Sequence, residues 1–186
     1  MKKIPTIFER DWDGDPQRVT SVQKISVLGA VATRKVDGTA VSVQGGKLFK
    51  RRTVKDGKVP PTGFIEVDRD DTTGKLFGWE PVFLDQKSDR MYKRAEVPVK
   101  DGTYEFIGTK IQGNAEGVEK YAYIPHGDEA LAVFWKSDVE PTREMLLEFL
   151  SSQPIEGIVW WRDGQPIGKI KRRDFGLPWP ICERRG

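Results

Sequence analysis

The chain has 186 residues, 31 lysines and arginines against 28 acidic residues, a formal net charge of +3, one cysteine and one histidine. That length suffices for one domain with a sizeable core, and 37% hydrophobic with 32% charged residues excludes disorder of the whole chain. Cys182 alone excludes a disulfide framework or cysteine metal cluster, and His126 alone excludes a multi-histidine metal site.

The opening "MKKIPTIFERDW" carries Glu9, Arg10, Asp11 and Asp13 across any apolar run, so it does not read as a signal peptide. No apolar run approaches the roughly 20 residues of a membrane span, and cysteine usage suits reducing surroundings. A soluble, intracellular protein is expected. Short β-like runs then alternate with turns: Ile25 to Thr33, Thr39 to Val43, Lys47 to Thr53, Phe64 to Val67, Tyr104 to Ile107, Tyr121 to Ile124, Leu131 to Trp135, Ile155 to Trp161 and Pro166 to Lys171. "VQGGKL" (43–48) and "WRDGQP" (161–166) predict hairpins, because Gly-Gly and Asp-Gly tolerate positive φ. A helix is predicted in "EPTREMLLEFLSSQP", with Pro141 in the first turn, an apolar face of Met145, Leu146, Phe149 and Leu150, and Pro154 at its end. A shorter helical stretch is predicted over Glu80 to Asp85, and polar loops over 51–63 and 87–102. The fold class is α+β, mainly antiparallel sheets with a few helices, in a single domain spanning 1–186.

Three stretches hold residues suited to chemistry. Lys35 lies on a break between two β-branched runs, beside Arg34, Asp37 and Gly38. A lysine amine is a nucleophile only when neutral, and desolvation or a neighbouring cation promotes that form. Gly38 lets the backbone come close to a ligand, although from these residues alone a solvent-facing lysine is the plainer reading. Glu105, between Tyr104 and Phe106 on a strand, points opposite to both aromatics and is placed to accept a sugar hydroxyl. From these residues alone a solvent-facing glutamate is again the plainer reading. In "IEGIVWWRDGQPIGKIKRRDFG" (155–176), Glu156 precedes an apolar strand, and the return strand carries Lys169 and Lys171 two residues apart on one face. A carboxylate opposite two ammonium groups suits a metal-bound polyphosphate. A charged edge strand is the rival account.

Taken in order, these stretches resemble the covalent nucleotidyltransferases, the superfamily of ATP-dependent RNA and DNA ligases and mRNA capping enzymes. "KVDGT" (35–39) is similar to the nucleotidyl-lysine motif, "YEFIGTKIQGN" (104–114) to the third motif in its RNA-ligase form, "EGIVWW" (156–161) to the fourth and "KIKRRDFG" (169–176) to the fifth. "KIPTIFERD" and "LFKRRTVKDGK" also resemble stretches of a small RNA ligase family. The resemblance implies a nucleotidyltransferase (adenylation) domain acting as an RNA ligase. Lys35 would attack the α-phosphate of ATP to form lysyl-AMP, Glu105 would bind the ribose, and Glu156 would help place a divalent metal, Mg²⁺ or Mn²⁺. Lys169 and Lys171 would contact the α-phosphate.

The implied partner is RNA with 5′-phosphate and 3′-hydroxyl ends, with no membrane and no obligate protein partner. Arg51 or Arg52, with Lys50, Lys55 and Lys58, forms a basic stripe suited to nucleic-acid phosphate or to a plain solvated hairpin. Trp79, Phe134 and Trp135 are the candidate adenine-stacking aromatics, and His126, in a "PHGDE" turn, is expected to face solvent. No stretch after 176 resembles the C-terminal domain of capping enzymes or replicative DNA ligases, which points away from both.

Overall fold

A computed structural model describes residues 2–133 and 138–181. The chain divides into two compact units, one of Met1–Lys3 and Asp37–His126, the other of Ile4–Val36 and Gly127–Gly186. Antiparallel sheets dominate both, as the α+β expectation has it.

In the second unit, β1 (Phe8–Arg10) pairs with β2 (Val19–Gln23), while β3 (Val31–Lys35), β10 (Gly157–Arg162) and β11 (Gln165–Lys171) form a sheet in the order β11-β10-β3. The predicted Asp163-Gly164 hairpin joins β10 to β11, with φ of +50° and +71° at its two corner residues. Helix α1 (Arg143–Ser152) starts where the Thr142 hydroxyl accepts the Met145 N–H at 3.2 Å. It stops where Gln153, ahead of Pro154, turns extended. Pro141 therefore precedes the cap instead of lying in the first turn. Leu146 and Leu150, one turn apart, are fully buried against Ile158, Trp160 and Ile170 of the sheet. Met145 stays exposed. The predicted strand from Ile25 begins only at Val31, because a turn with Gly29 at positive φ occupies the stretch between.

In the first unit, β4 (Thr39–Gln44), β5 (Lys47–Val54), β6 (Ile65–Asp70), β7 (Lys75–Pro81), β8 (Gly102–Ile107) and β9 (Ala122–Pro125) form a six-stranded sheet ordered β6-β7-β5-β4-β8-β9. Its core gathers Val41, Val43, Leu48, Tyr104 and Phe106 with Tyr92, Tyr121 and Tyr123 stacked around the Phe106 ring at 4.6–5.7 Å. The helix expected over Glu80 to Asp85 does not form. Glu80 lies on β7, opposite Lys50, and the chain coils into a 3₁₀ segment only at Lys87–Arg94, inside the stretch read as loop. The strand expected from Leu131 is instead a 3₁₀ turn (Glu129–Leu131) followed by one bridge, Ala132 to Thr33. Phe134 and Trp135 fall outside the described residues.

Candidate active site

Lys35 is the last residue of β3 and not a loop residue; the break predicted around it falls at Asp37-Gly38. Across the sheet, Lys171, Gly157 and Lys35 lie directly opposite one another on β11, β10 and β3. Directly paired residues share a face, so both lysines project on one side, and the glycine between them contributes no side chain. Two residues further along stand Lys169, Val159 and Thr33, which puts Lys169 on the same face. The alternate residues, Ala32, Ile158, Trp160 and Ile170, fill the core behind. Gly157 is required sterically: a Cβ there would sit 2.1 Å from the Ile170 carbonyl oxygen and 2.9 Å from the Lys171 Cα.

Glu156, 7% exposed, receives the Lys35 ammonium on one oxygen and lies 3.0 Å from the Lys171 ammonium with the other. Lys35 also donates to the Val36 carbonyl at 3.3 Å. Among the described residues Lys169 Nζ makes no hydrogen bond or ion pair. Burial, followed by the charges of Lys171 and Lys35, pulls its pKa down to about 8, against the opposing pull of Asp174 and Glu156. Three lysine side chains gathered about one carboxylate leave a focused positive site. That suits an anionic group presented to a nucleophile.

The backbone behind this face is pinned from two sides. Lys169 N–H donates to the Pro5 carbonyl at 2.9 Å and its carbonyl accepts Ile7 N–H at 3.1 Å, so residues 5–7 run alongside β11. Asp174, 1% exposed, accepts the Lys171 N–H and the Arg10 guanidinium, each at 2.7 Å. Arg10 and Asp174 carry no sequence signal for this role beyond lying inside quoted motifs. Trp161 is a half-buried aromatic whose indole N–H donates to Thr33 Oγ1 at 2.9 Å, on the lysine face. The Trp-Trp pair was a visible signal for it.

Glu105, Arg51 and Arg52 belong to the other unit. Tyr104 and Phe106 are buried and Glu105 points to the opposite side of β8, as alternation predicts. One Glu105 oxygen accepts the Gly38 N–H at 3.0 Å and the other lies 2.9 Å from His126 Nε2. His126 is thus largely buried, its side chain 16% exposed, contrary to the solvent-facing expectation. The tight turn places its ring against a strand partner that sequence proximity does not reveal. Gly38 is needed for packing, since a Cβ would lie 2.4 Å from the Phe106 carbonyl oxygen. Asp37 N–H donates to Glu116 at 2.7 Å.

The basic stripe on β5 divides by face. Lys50 pairs at 2.7 Å with Asp89, which is 2% exposed, and at 3.4 Å with Glu80. Arg51 lies over the Phe77 and Trp79 rings, and burial lowers its pKa, with Asp68 opposing. Arg52 is exposed, 3.6 Å from Glu80. Trp79 is a core residue at 2% exposure, covered by Arg51, and is no stacking platform.

Among the described residues no group of three or more His, Cys, Asp or Glu side chains is arranged to hold a metal ion. Both oxygens of Glu156 already face ammonium groups. The described donor set is thus that of a paired carboxylate and does not fit a resident metal. Among the described residues no helix is long and apolar enough to cross a membrane.

No family model matches the chain. It is 33% identical over 97 residues, 47% of its length, to a protein of Danio rerio named RNA ligase 1. The match spans 29% of that relative.

Proposed function

We propose that the chain is an ATP-dependent RNA ligase on a nucleotidyltransferase (adenylation) fold, joining RNA 5′-phosphate and 3′-hydroxyl ends through a lysyl-AMP on Lys35. The observation that carries this reading is the gathering of Lys35, Glu156, Lys169 and Lys171 on one sheet face. The motif resemblance and the partial similarity to a protein named RNA ligase 1 support it.

In this reading the substrate is ATP as its Mg²⁺ or Mn²⁺ salt. The Lys35 ammonium gives up a proton, for which Glu156 is the adjacent acceptor, and the amine attacks the α-phosphorus. The nitrogen–phosphorus bond forms as the bond to the β-phosphate oxygen breaks, and pyrophosphate departs. Lys169 and Lys171 offset the charge that accumulates on the α-phosphate oxygens, the positioning and electrostatic work that phosphoryl transfer requires. Glu105 takes the ribose, Glu156 stands beside the incoming metal salt, and the exposed Arg52 with Arg51 meets nucleic-acid phosphate. AMP then passes to the RNA 5′-phosphate, and the 3′-hydroxyl displaces it.

The test is a denaturing gel after incubation with ATP labelled at the α-phosphate, beside lanes of labelled GTP and of the Lys35→Ala protein. Label from ATP that disappears in Lys35→Ala is expected. Subsequent transfer to a 5′-phosphorylated RNA completes the sequence. Label from GTP alone redirects the reading to capping chemistry, and no label in a folded protein leaves a non-catalytic RNA-end binder.

A further inference from the structure

His126 is a residue that the motif resemblance does not touch. Its ring is largely buried, and among the described residues its one polar contact is Nε2 on the Glu105 carboxylate at 2.9 Å, while the buried Nδ1 has no hydrogen-bond partner. Leaving a buried ring nitrogen unpaired is destabilising, so hydrogen-bonding economy does not explain a histidine here. The Nε2 contact does. With Nε2 protonated the ring donates to one carboxylate oxygen while the Gly38 N–H donates to the other at 3.0 Å. Two donors on two oxygens set the plane of the carboxylate and leave the remaining lone pairs in fixed directions. Glycine at position 38 permits this close approach, since a Cβ there would lie 3.0 Å from Glu105 Cγ.

We propose that His126 is a positioning residue for Glu105, holding its carboxylate in the one orientation that accepts the ribose hydroxyls of the nucleotide. This rests on the ligase reading, in which Glu105 is the ribose ligand. Its consequence is discrimination: a carboxylate fixed in plane favours a ribose over a sugar lacking a hydroxyl, whereas one free to rotate finds water instead.

Single-turnover self-labelling with ATP, 2′-deoxyATP and 3′-deoxyATP, over a range of nucleotide concentrations, tests this in wild type, His126→Ala and His126→Gln. The wild type is expected to prefer ATP over at least one deoxy analogue. In His126→Ala the half-saturating ATP concentration rises about tenfold, the scale of losing an outer support. The limiting rate stays within about twofold, and the preference for ATP collapses. His126→Gln, whose amide N–H₂ can still donate to Glu105, restores much of it. Unchanged discrimination in His126→Ala overturns the proposal, as does an equal loss with all three nucleotides that glutamine does not rescue. Should the alanine protein fail to fold, as judged by its melting curve, His126→Gln decides, since it must retain discrimination. Absence of label in the wild type overturns the ligase reading itself, and the inference with it, and is distinguished by affecting every protein and nucleotide alike.

Discussion

Replacing Gly157 by alanine adds one methyl group where β10 faces Lys171 of β11. The new Cβ would stand 2.1 Å from the Ile170 carbonyl oxygen, where ordinary contact begins at 3.4 Å, so β11 must retreat by about 1.3 Å. The obstacle is backbone, which has no rotamer to escape into. A displacement of that size stretches one or two ladder hydrogen bonds beyond use, each contributing about 1 kcal/mol. Overpacking adds about 1–3 kcal/mol. The sum, roughly 2–5 kcal/mol, lowers Tm by about 4–20 °C for a chain of this size. Lys171 pairs directly with Gly157 and moves with the strand, and Lys169 follows. An ångström of misplacement in a positioned group costs about 100-fold in rate, so Lys35 labelling should fall by about that factor even well below the new Tm. Calorimetry and α-label incorporation on the same preparation check both. A Gly157→Ala protein that melts within about 2 °C of wild type and labels at its rate would refute the argument that strand contact at this glycine sets the lysine geometry.

Lys169 provides a pH signature. Its folded pKa of about 8 lies below the ordinary 10.5, so between those values the unfolded chain binds more protons. Stability should therefore rise with pH from about 8 to 10.5, by up to about 3 kcal/mol. Urea titrations at pH 7 to 10 should show this rise in wild type and not in Lys169→Met. The kcat/KM for ATP should fall as pH climbs through about 8, where the free protein loses the Lys169 charge, and Lys169→Arg should move that fall to higher pH. On β5, Lys50→Ala strands the buried Asp89 and should destabilise by about 3–5 kcal/mol in chemical denaturation. Arg52→Ala, whose side chain is 56% exposed, should change stability by less than about 0.5 kcal/mol. It should weaken RNA binding in a salt-dependent filter assay.

What could be read in the sequence was local. The Asp163-Gly164 turn, the Thr142–Ser152 helix and the aim of Glu105 away from Tyr104 and Phe106 follow from dihedral preference and periodicity, and each is present. What escaped depends on partners far away in the chain. Glu80 reads as helical by propensity and lies on a strand because Lys50 stands opposite it. Strands β1 and β2 are short and largely polar, and pair with each other across a polar loop. His126 looked exposed in its turn, and its burial is a matter of Glu105, 21 residues earlier. The motif lysines could be named, but not the glycine that seats two of them opposite each other, nor Arg10 and Asp174 behind Lys171.

The pairing of residues 5–7 with Lys169 carries a meaning for how the molecule is made. Residues 5–7 and Lys169 are more than 160 residues apart, so the hydrogen bonds between them close only after that whole length has been synthesised. At about 5–20 residues per second that is a wait on the order of ten to thirty seconds. The lysine face joins the β10–β11 hairpin to β3, which lies far earlier in the chain. Such long-range closure is slow to nucleate. Lys35 is therefore synthesised long before Lys169 and Lys171, and the face that holds all three can assemble only once β10 and β11 have followed.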